Sequence, residues 1–304
     1  MYKITFYRFS FALAALFLML AAGNTVSATH IRAGDIVARS LGNPLQFEFT
    51  LVIYTDAGSL PVQQEFATLF FGDGTSQTVN RDPATYFLIT PETYHNEFKF
   101  THQYNAPGYY TVSFNGQNRN EGILNMSQSG TTSFLIQTEV YINPLAGTNI
   151  TPRMSVPPLD KAARGQIFEH NPGAYDIEGD CLTYLMIMPR MSLTCETCPP
   201  QPATVPNYTS PADPVHGGES TNGGAATFDI NATTGLITWN TPGRVGEYNI
   251  AFVVEEWRLI ERGKPRLKMS VTTRDMQILV EPSENKPPKI TIPKDLCVIP
   301  GTLI

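Results

Sequence analysis

The sequence predicts an all-β protein built from tandem antiparallel β-sandwiches, and three observations lead there. Apolar residues recur at alternate positions in many short runs, which is the periodicity of a half-buried strand. Glycine (23 residues) and proline (24) break those runs at short intervals. Only 16% of the 304 residues are charged while 11% are aromatic, a balance that suits sheets better than amphipathic helices. The stretch Phe228–Arg258 shows all of this at once. Phe228 and Ile230 alternate with polar neighbours, Thr233-Thr234-Gly235 turns the chain, and Ile237 and Trp239 resume the pattern. After Pro242-Gly243, Tyr248, Ile250, Phe252 and Val254 share one face, with Ala251 and Val253 on the other. Apolar residues on both faces predict a strand covered on two sides.

Met1–Ala28 has the layout of a secretory signal. Lys3 and Arg8 open it, Phe9–Ala22 is apolar but short for a bilayer span, and Val26-Ser27-Ala28 supplies small residues before a cut. The mature chain is therefore expected to carry no transmembrane helix and to lie outside the cytoplasm. A first sandwich is expected over 29–146. Its strands run through Ile31–Leu41, then Phe47, Phe49, Leu51 and Ile53, then Phe98, Phe100, His102 and Tyr104. Tyr110, Val112 and Phe114 add another, and Phe134, Ile136, Thr138, Val140 and Ile142 close the unit. Residues 147–158 read as a Pro-rich linker, and a second sandwich is expected over 159–282. Within it, Thr194–Gly224 is long, lacks periodicity, and is read as a functional or disordered loop. Residues 283–304 read as a linker followed by the first strand of a further repeat, so more domains are expected after Ile304.

A net charge of −6 with no basic stripe argues against nucleic acid as a partner. The sequence contains no Gly-x-Ser-x-Gly elbow, His-Glu-x-x-His pair or phosphate-cradling glycine loop, and the chain is expected to be non-enzymatic. Asp176, Glu178 and Asp180 place three carboxylates in five residues, part of an oxygen shell for calcium, to which Glu255 or Glu256 would add if the loops converge. The alternative is a solvated acidic turn with Gly179 at positive φ. Cys195 and Cys198 form a Cys-x-x-Cys pair without the second close pair of a zinc ribbon, so disulfides are expected among Cys181, Cys195, Cys198 and Cys297, with the pairing open. His102 reads as a hydrogen-bonded core residue. Glu256, Arg258, Arg274 and Asp275 read as cross-strand ion pairs at strand ends, worth roughly 0.2–1 kcal/mol each. Asn125, Asn149, Asn207 and Asn231 satisfy Asn-x-Ser/Thr, and Trp257 rather than Trp239 is the candidate for an exposed ring.

Phe70–Gly74 (FFGDG) followed by His102–Val112 (HQYNAPGYYTV) resembles the PKD fold, an immunoglobulin-like module of extracellular proteins. The resemblance implies that Gly72-Asp73-Gly74 forms a turn whose carboxylate accepts backbone hydrogen bonds. Tyr175–Tyr184 (YDIEGDCLTY), with TTGLITW after it, resembles cadherin-like and immunoglobulin-like repeats. EYNIAFVVEEWR, TTRDMQILVE and NKPPKI, with Thr29-His30-Ile31 at the mature start, are similar to large Bacteroidota surface proteins that carry a gliding-motility-associated sorting domain and use the type nine secretion route. These resemblances imply an exported cell-surface protein of tandem immunoglobulin-like modules serving adhesion or surface architecture, with protein or polysaccharide ligands. The alternative they leave open is a set of spacer or carbohydrate-binding modules of a secreted hydrolase whose catalytic domain follows Ile304.

Overall fold

The structure is a computed structural model that describes residues 30–58 and 64–284. The segment read as a secretory signal, the segment after 284 and Cys297 lie outside the described residues. The first half contains β1 (His30–Ser40), β2 (Gln46–Asp56), β3 (Phe66–Phe70), β4 (Ser76–Asn80), β5 (Phe87–Thr90), β6 (Thr93–Gln103), β7 (Gly108–Gly116), β8 (Asn118–Arg119) and β9 (Phe134–Ile142). The second contains β10 (Arg153–Met154), β11 (Leu159–Ala163), β12 (Phe168–His170), β13 (Ala174–Tyr175), β14 (Cys181–Ile187), β15 (Arg190–Ser192) and β16 (Pro202–Thr204). It continues with β17 (Thr227–Ile230), β18 (Ile237–Asn240), β19 (Gly246–Arg258) and β20 (Leu267–Glu281). The helical pieces among the described residues are 3-10 turns of three residues. The chain is all-β, with curled antiparallel sheets packed as immunoglobulin-like sandwiches.

In the first half, β4-β3-β7-β9 face β1-β2-β6-β5. The alternating residues read from the sequence are the ones that meet between the layers: Phe47, Phe49, Leu51, Phe98, Phe100, Val112, Phe114 and Ile136 are all buried in one cluster. Val112 and Phe114 enter that core from β7, while Tyr109, one strand position from Tyr110 and so on the opposite face, stays 54% exposed. In the second half, β11, β20, β19 and β14 form one layer, and β12-β18-β17 forms the other. Tyr248, Ile250, Phe252 and Val254 pack there against Trp239, whose ring is fully buried and meets Tyr248 edge-on at 4.9 Å.

The opposite face of β19 is buried too. Asn249 and Ala251 are covered by the segments around Asn125 and Tyr208, which hydrogen-bond the Asn249 backbone oxygen. The stretch Thr194–Gly224 thus supplies part of a third layer. Val205 and Tyr208 pack against Ile123 and Met126, and the Cys195–Cys198 disulfide closes a turn within it.

The two halves share a strand. β20 pairs with β19 along its length, yet Ser270, Val271 and Thr272 also pair with Val140, Glu139 and Thr138 of β9, and Asp275 pairs with Gly34 of β1. The Pro-rich segment is also tied down. Thr151 bonds Ala38 through both its backbone and its side chain, and the Ser40 N–H donates to the Asn149 oxygen.

The glycine turn behaves as the PKD resemblance implies. Gly72 has φ +83°, and a Cβ there would stand 2.7 Å from the Thr111 backbone oxygen, so only glycine fits. Asp73 accepts from the Thr75 N–H at 3.0 Å and from His102 Nε2 at 2.7 Å, and His102 stacks on Phe71 with centroids 4.0 Å apart. Partial burial raises the Asp73 carboxyl, but the hydrogen bonds from Thr75 and His102 outweigh it and hold the group below its ordinary value. Asp73→Ala is therefore expected to cost about 1–3 kcal/mol in urea unfolding, since it strips charge-assisted hydrogen bonds from a turn.

Candidate functional site

The acidic turn is built by the chain passing from β13 into β14. Gly179 takes φ +84°, and the Asp180 N–H donates to Asp176 Oδ1 at 2.7 Å, folding the two carboxylates toward each other. β14 then pairs with β19, with Leu182 opposite Glu256, and Glu256 lies opposite Ser270 on β20. This brings Asp176, Asp180 and Glu256 together, each with a carboxylate oxygen within 4.8 Å of the others. Glu178 is exposed and is not among the three, while Glu256 joins as the sequence allowed. Burial first, and the Asp176 charge second, raise the Glu178 carboxyl.

Arg258 sits in the same cluster. Its Nε donates to Asp180 Oδ2 at 2.7 Å and its Nη2 lies 3.8 Å from Glu256 Oε1. The guanidinium also donates to the Ala146 and Thr148 carbonyls and to Asn149 Oδ1. Glu256 is fully buried, and its Oε2 accepts from Asn149 Nδ2 at 2.9 Å and from the Ser270 hydroxyl. Two buried oxygens here have no hydrogen-bond partner, Asp176 Oδ2 and Glu256 Oε1. Burial pushes the Glu256 carboxyl up to about 8, aided by Asp176 and Asp180 and opposed by the Ser270 and Asn149 hydrogen bonds. With Arg258 in place the cluster holds a proton on Glu256. A calcium ion, needing six to eight oxygens, competes with that proton and with the guanidinium.

The other candidates fall in different places. Cys195 and Cys198 are bonded to each other with Cα atoms 5.0 Å apart, one of the pairings the sequence left open. Cys181, beside Trp257 in the register, is exposed and has no disulfide partner among the described residues. Asn125 and Asn149 are buried and hydrogen-bonded, so neither presents an acceptor for a surface glycan; Asn207 and Asn231 are exposed.

The reading of Glu256, Arg274 and Asp275 as exposed strand-end ion pairs is overturned. They are 0%, 2% and 1% exposed, because the strands carrying them are covered on both faces. Arg274 reaches Asp35 of β1 at 2.5 Å and the Val156 carbonyl at 2.7 Å. Asp275 receives both ends of the Arg119 guanidinium at 2.8 Å, and Arg119 also donates to Asn249 Oδ1 and the Arg190 carbonyl. Arg119 went unnoticed in the sequence because its short strand has no periodic signal.

The sequence profile of the PKD domain family matches residues 11–127. No curated protein and no solved structure matches the chain. The amino-terminal part of the chain is thus similar to the PKD domain, an immunoglobulin-like module, and the Gly72-Asp73-Gly74 turn lies within the matched residues.

Proposed function

We propose that the chain is an exported, non-enzymatic surface protein whose two sandwiches act as one stiff unit in adhesion or surface architecture. The observation that carries this reading is the sharing of β20 between the halves, reinforced by the buried Arg119–Asp275 and Arg274–Asp35 pairs. A stalk meant to hold a contact surface away from a membrane gains from a junction that does not bend. A PKD module is typical of extracellular chains, which agrees with the signal-like start. On this reading the gliding-associated resemblance applies. The test is labelling of intact producing cells with a membrane-impermeant amine reagent. Modification of the chain without lysis supports the reading, and labelling only after lysis sinks it.

Calcium binding at the Asp176, Asp180 and Glu256 cluster belongs to the same proposal. A millimolar calcium addition is expected to raise the melting midpoint of the chelator-treated protein, because a ligand held by the native state alone stabilises it. An unchanged midpoint, or one that rises equally in Asp176→Asn, removes calcium from the site.

A second reading, accessory modules that touch polysaccharide, is favoured by a row of rings. Val140 points into the first core, so Glu139 and Tyr141 of β9 point outward, and Tyr109 stacks on Tyr141 with centroids 4.4 Å apart. Pairing carries that outer face across β20 to β19, where Trp257 holds Lys268 at 4.7 Å over its ring. Aromatic faces beside carboxylates and an ammonium suit the apolar and hydroxyl faces of sugars.

A further inference from the structure

A cleft of about 330 Å³ lies where the second sandwich meets the first. Its floor is the outer face of β20 and β11, with Gln277 opposite Leu159 in the register, and its far wall is Arg32 of β1 together with the turn between β5 and β6. This volume is at the small end of ligand clefts.

Gln277 is only 8% exposed, yet neither its Nε2 nor its Oε1 has a hydrogen-bond partner. Both ends being unpartnered, this holds whichever way the amide is turned. Arg32 Nε is a third unpartnered atom in the lining, although the Arg32 Nη2 is held by Asp56 at 3.1 Å. Buried amides without partners are rare and costly in native proteins, so this one points to a bound group.

The charges of the lining are already answered. Lys161 pairs with Glu281 at 2.8 Å, Glu247 lies 3.8 Å from Arg32, and Asp160 bonds His170. A free anion or cation would thus find no unpaired counter-charge among these groups. What remains unpaired is one acceptor and a set of N–H donors, between the apolar surfaces of Pro91, Pro158, Leu159 and Leu279. An acetamido group fits that set: its carbonyl accepts, its N–H donates, and its methyl packs on apolar carbon. Thr90 and the paired charges at the mouth offer donors and acceptors of both kinds, as ring hydroxyls require.

We propose that this cleft binds an N-acetylated amino sugar, with Gln277 reading the acetamido group. The proposal is independent of where the chain resides, since binding is read on purified protein and can fail while surface labelling succeeds. The experiment is titration of the full chain with N-acetylglucosamine, glucosamine, glucose and a blocked dipeptide, followed by calorimetry or ligand-observed NMR. The expected result is saturable binding of N-acetylglucosamine, weaker by about tenfold or more for glucosamine and glucose, which lack the group that pairs with the amide. Gln277→Met should abolish binding while leaving the melting midpoint equal or higher, because it removes an unpartnered polar group at nearly constant shape. Should that variant not fold, Arg32→Lys, which keeps a cation near Asp56 and Glu247, is expected to weaken binding instead. No saturable binding, equal binding of glucose, equal binding of the blocked dipeptide, or full affinity in Gln277→Met each overturns the proposal.

Discussion

Arg119→Met is expected to lower the free energy of unfolding by about 3–5 kcal/mol, the usual cost of leaving one partner of a buried ion pair behind. The side chains of Arg119 and Asp275 are 0% and 1% exposed, so water cannot replace the lost guanidinium. The substitution also strips a donor from Asn249 Oδ1 and from the Arg190 carbonyl, and removes a cation lying 4.8 Å from the Phe134 ring centroid. Those partners come from β9, β15, β19 and β20, so the loss falls on the seam between the halves rather than on either core. Urea unfolding followed by tryptophan fluorescence measures it, since Trp239 lies in the second core. The double variant Arg119→Met with Asp275→Leu should recover most of the loss, because two apolar groups leave no charge uncompensated. A single-variant cost below about 1 kcal/mol, the range of exposed pairs, would show that the pair is hydrated in solution.

That pair also marks where the sequence stops being informative. The strands were legible because a sheet with one wet face writes its burial as alternation, as in Phe47 to Ile53 or Phe98 to Phe100. The double-sided burial of β19 was legible as well, since Ala251 and Val253 are apolar opposite Ile250 and Phe252. What covers that second face was not. Arg119 and Asp275 are separated by 156 positions and Asp35 and Arg274 by 239, and no local pattern couples residues so far apart. A lone charge within a strand reads as solvent-facing under the alternation rule, and only the third layer reverses that meaning. At the acidic turn, Asp176 and Asp180 were visible as a cluster and Glu256 as an addition, but Arg258 was expected at an exposed strand end instead of inside the cluster. The disulfide differs again: Cys195 and Cys198 are close enough in sequence to meet, yet four cysteines leave the choice to the fold.

The stability of the chelator-treated protein is expected to fall as pH rises from about 4.5 to about 8, in the part that Glu256 contributes. The groups facing Glu256 are Asp176, Asp180 and Arg258, with Ser270 and Asn149 as hydrogen-bond donors. Its carboxyl is raised to about 8 in the folded chain, chiefly by burial, against an ordinary value of 4.5. Between those values the native state keeps a proton that the unfolded chain has released, so stability must decline with pH across that window. The contribution is fully present below the unfolded value and lost above the folded one. The size of the shift puts the loss on the order of 3–5 kcal/mol. Because other groups titrate over the same range, the quantity to measure is the difference between the parent and Glu256→Gln, unfolded in urea at several pH values. The glutamine imitates the protonated carboxyl, so the two proteins should be similar near pH 5 and the variant the more stable above pH 8. A difference that stays constant with pH would mean that Glu256 is ionised throughout and that Arg258, rather than a proton, compensates its charge.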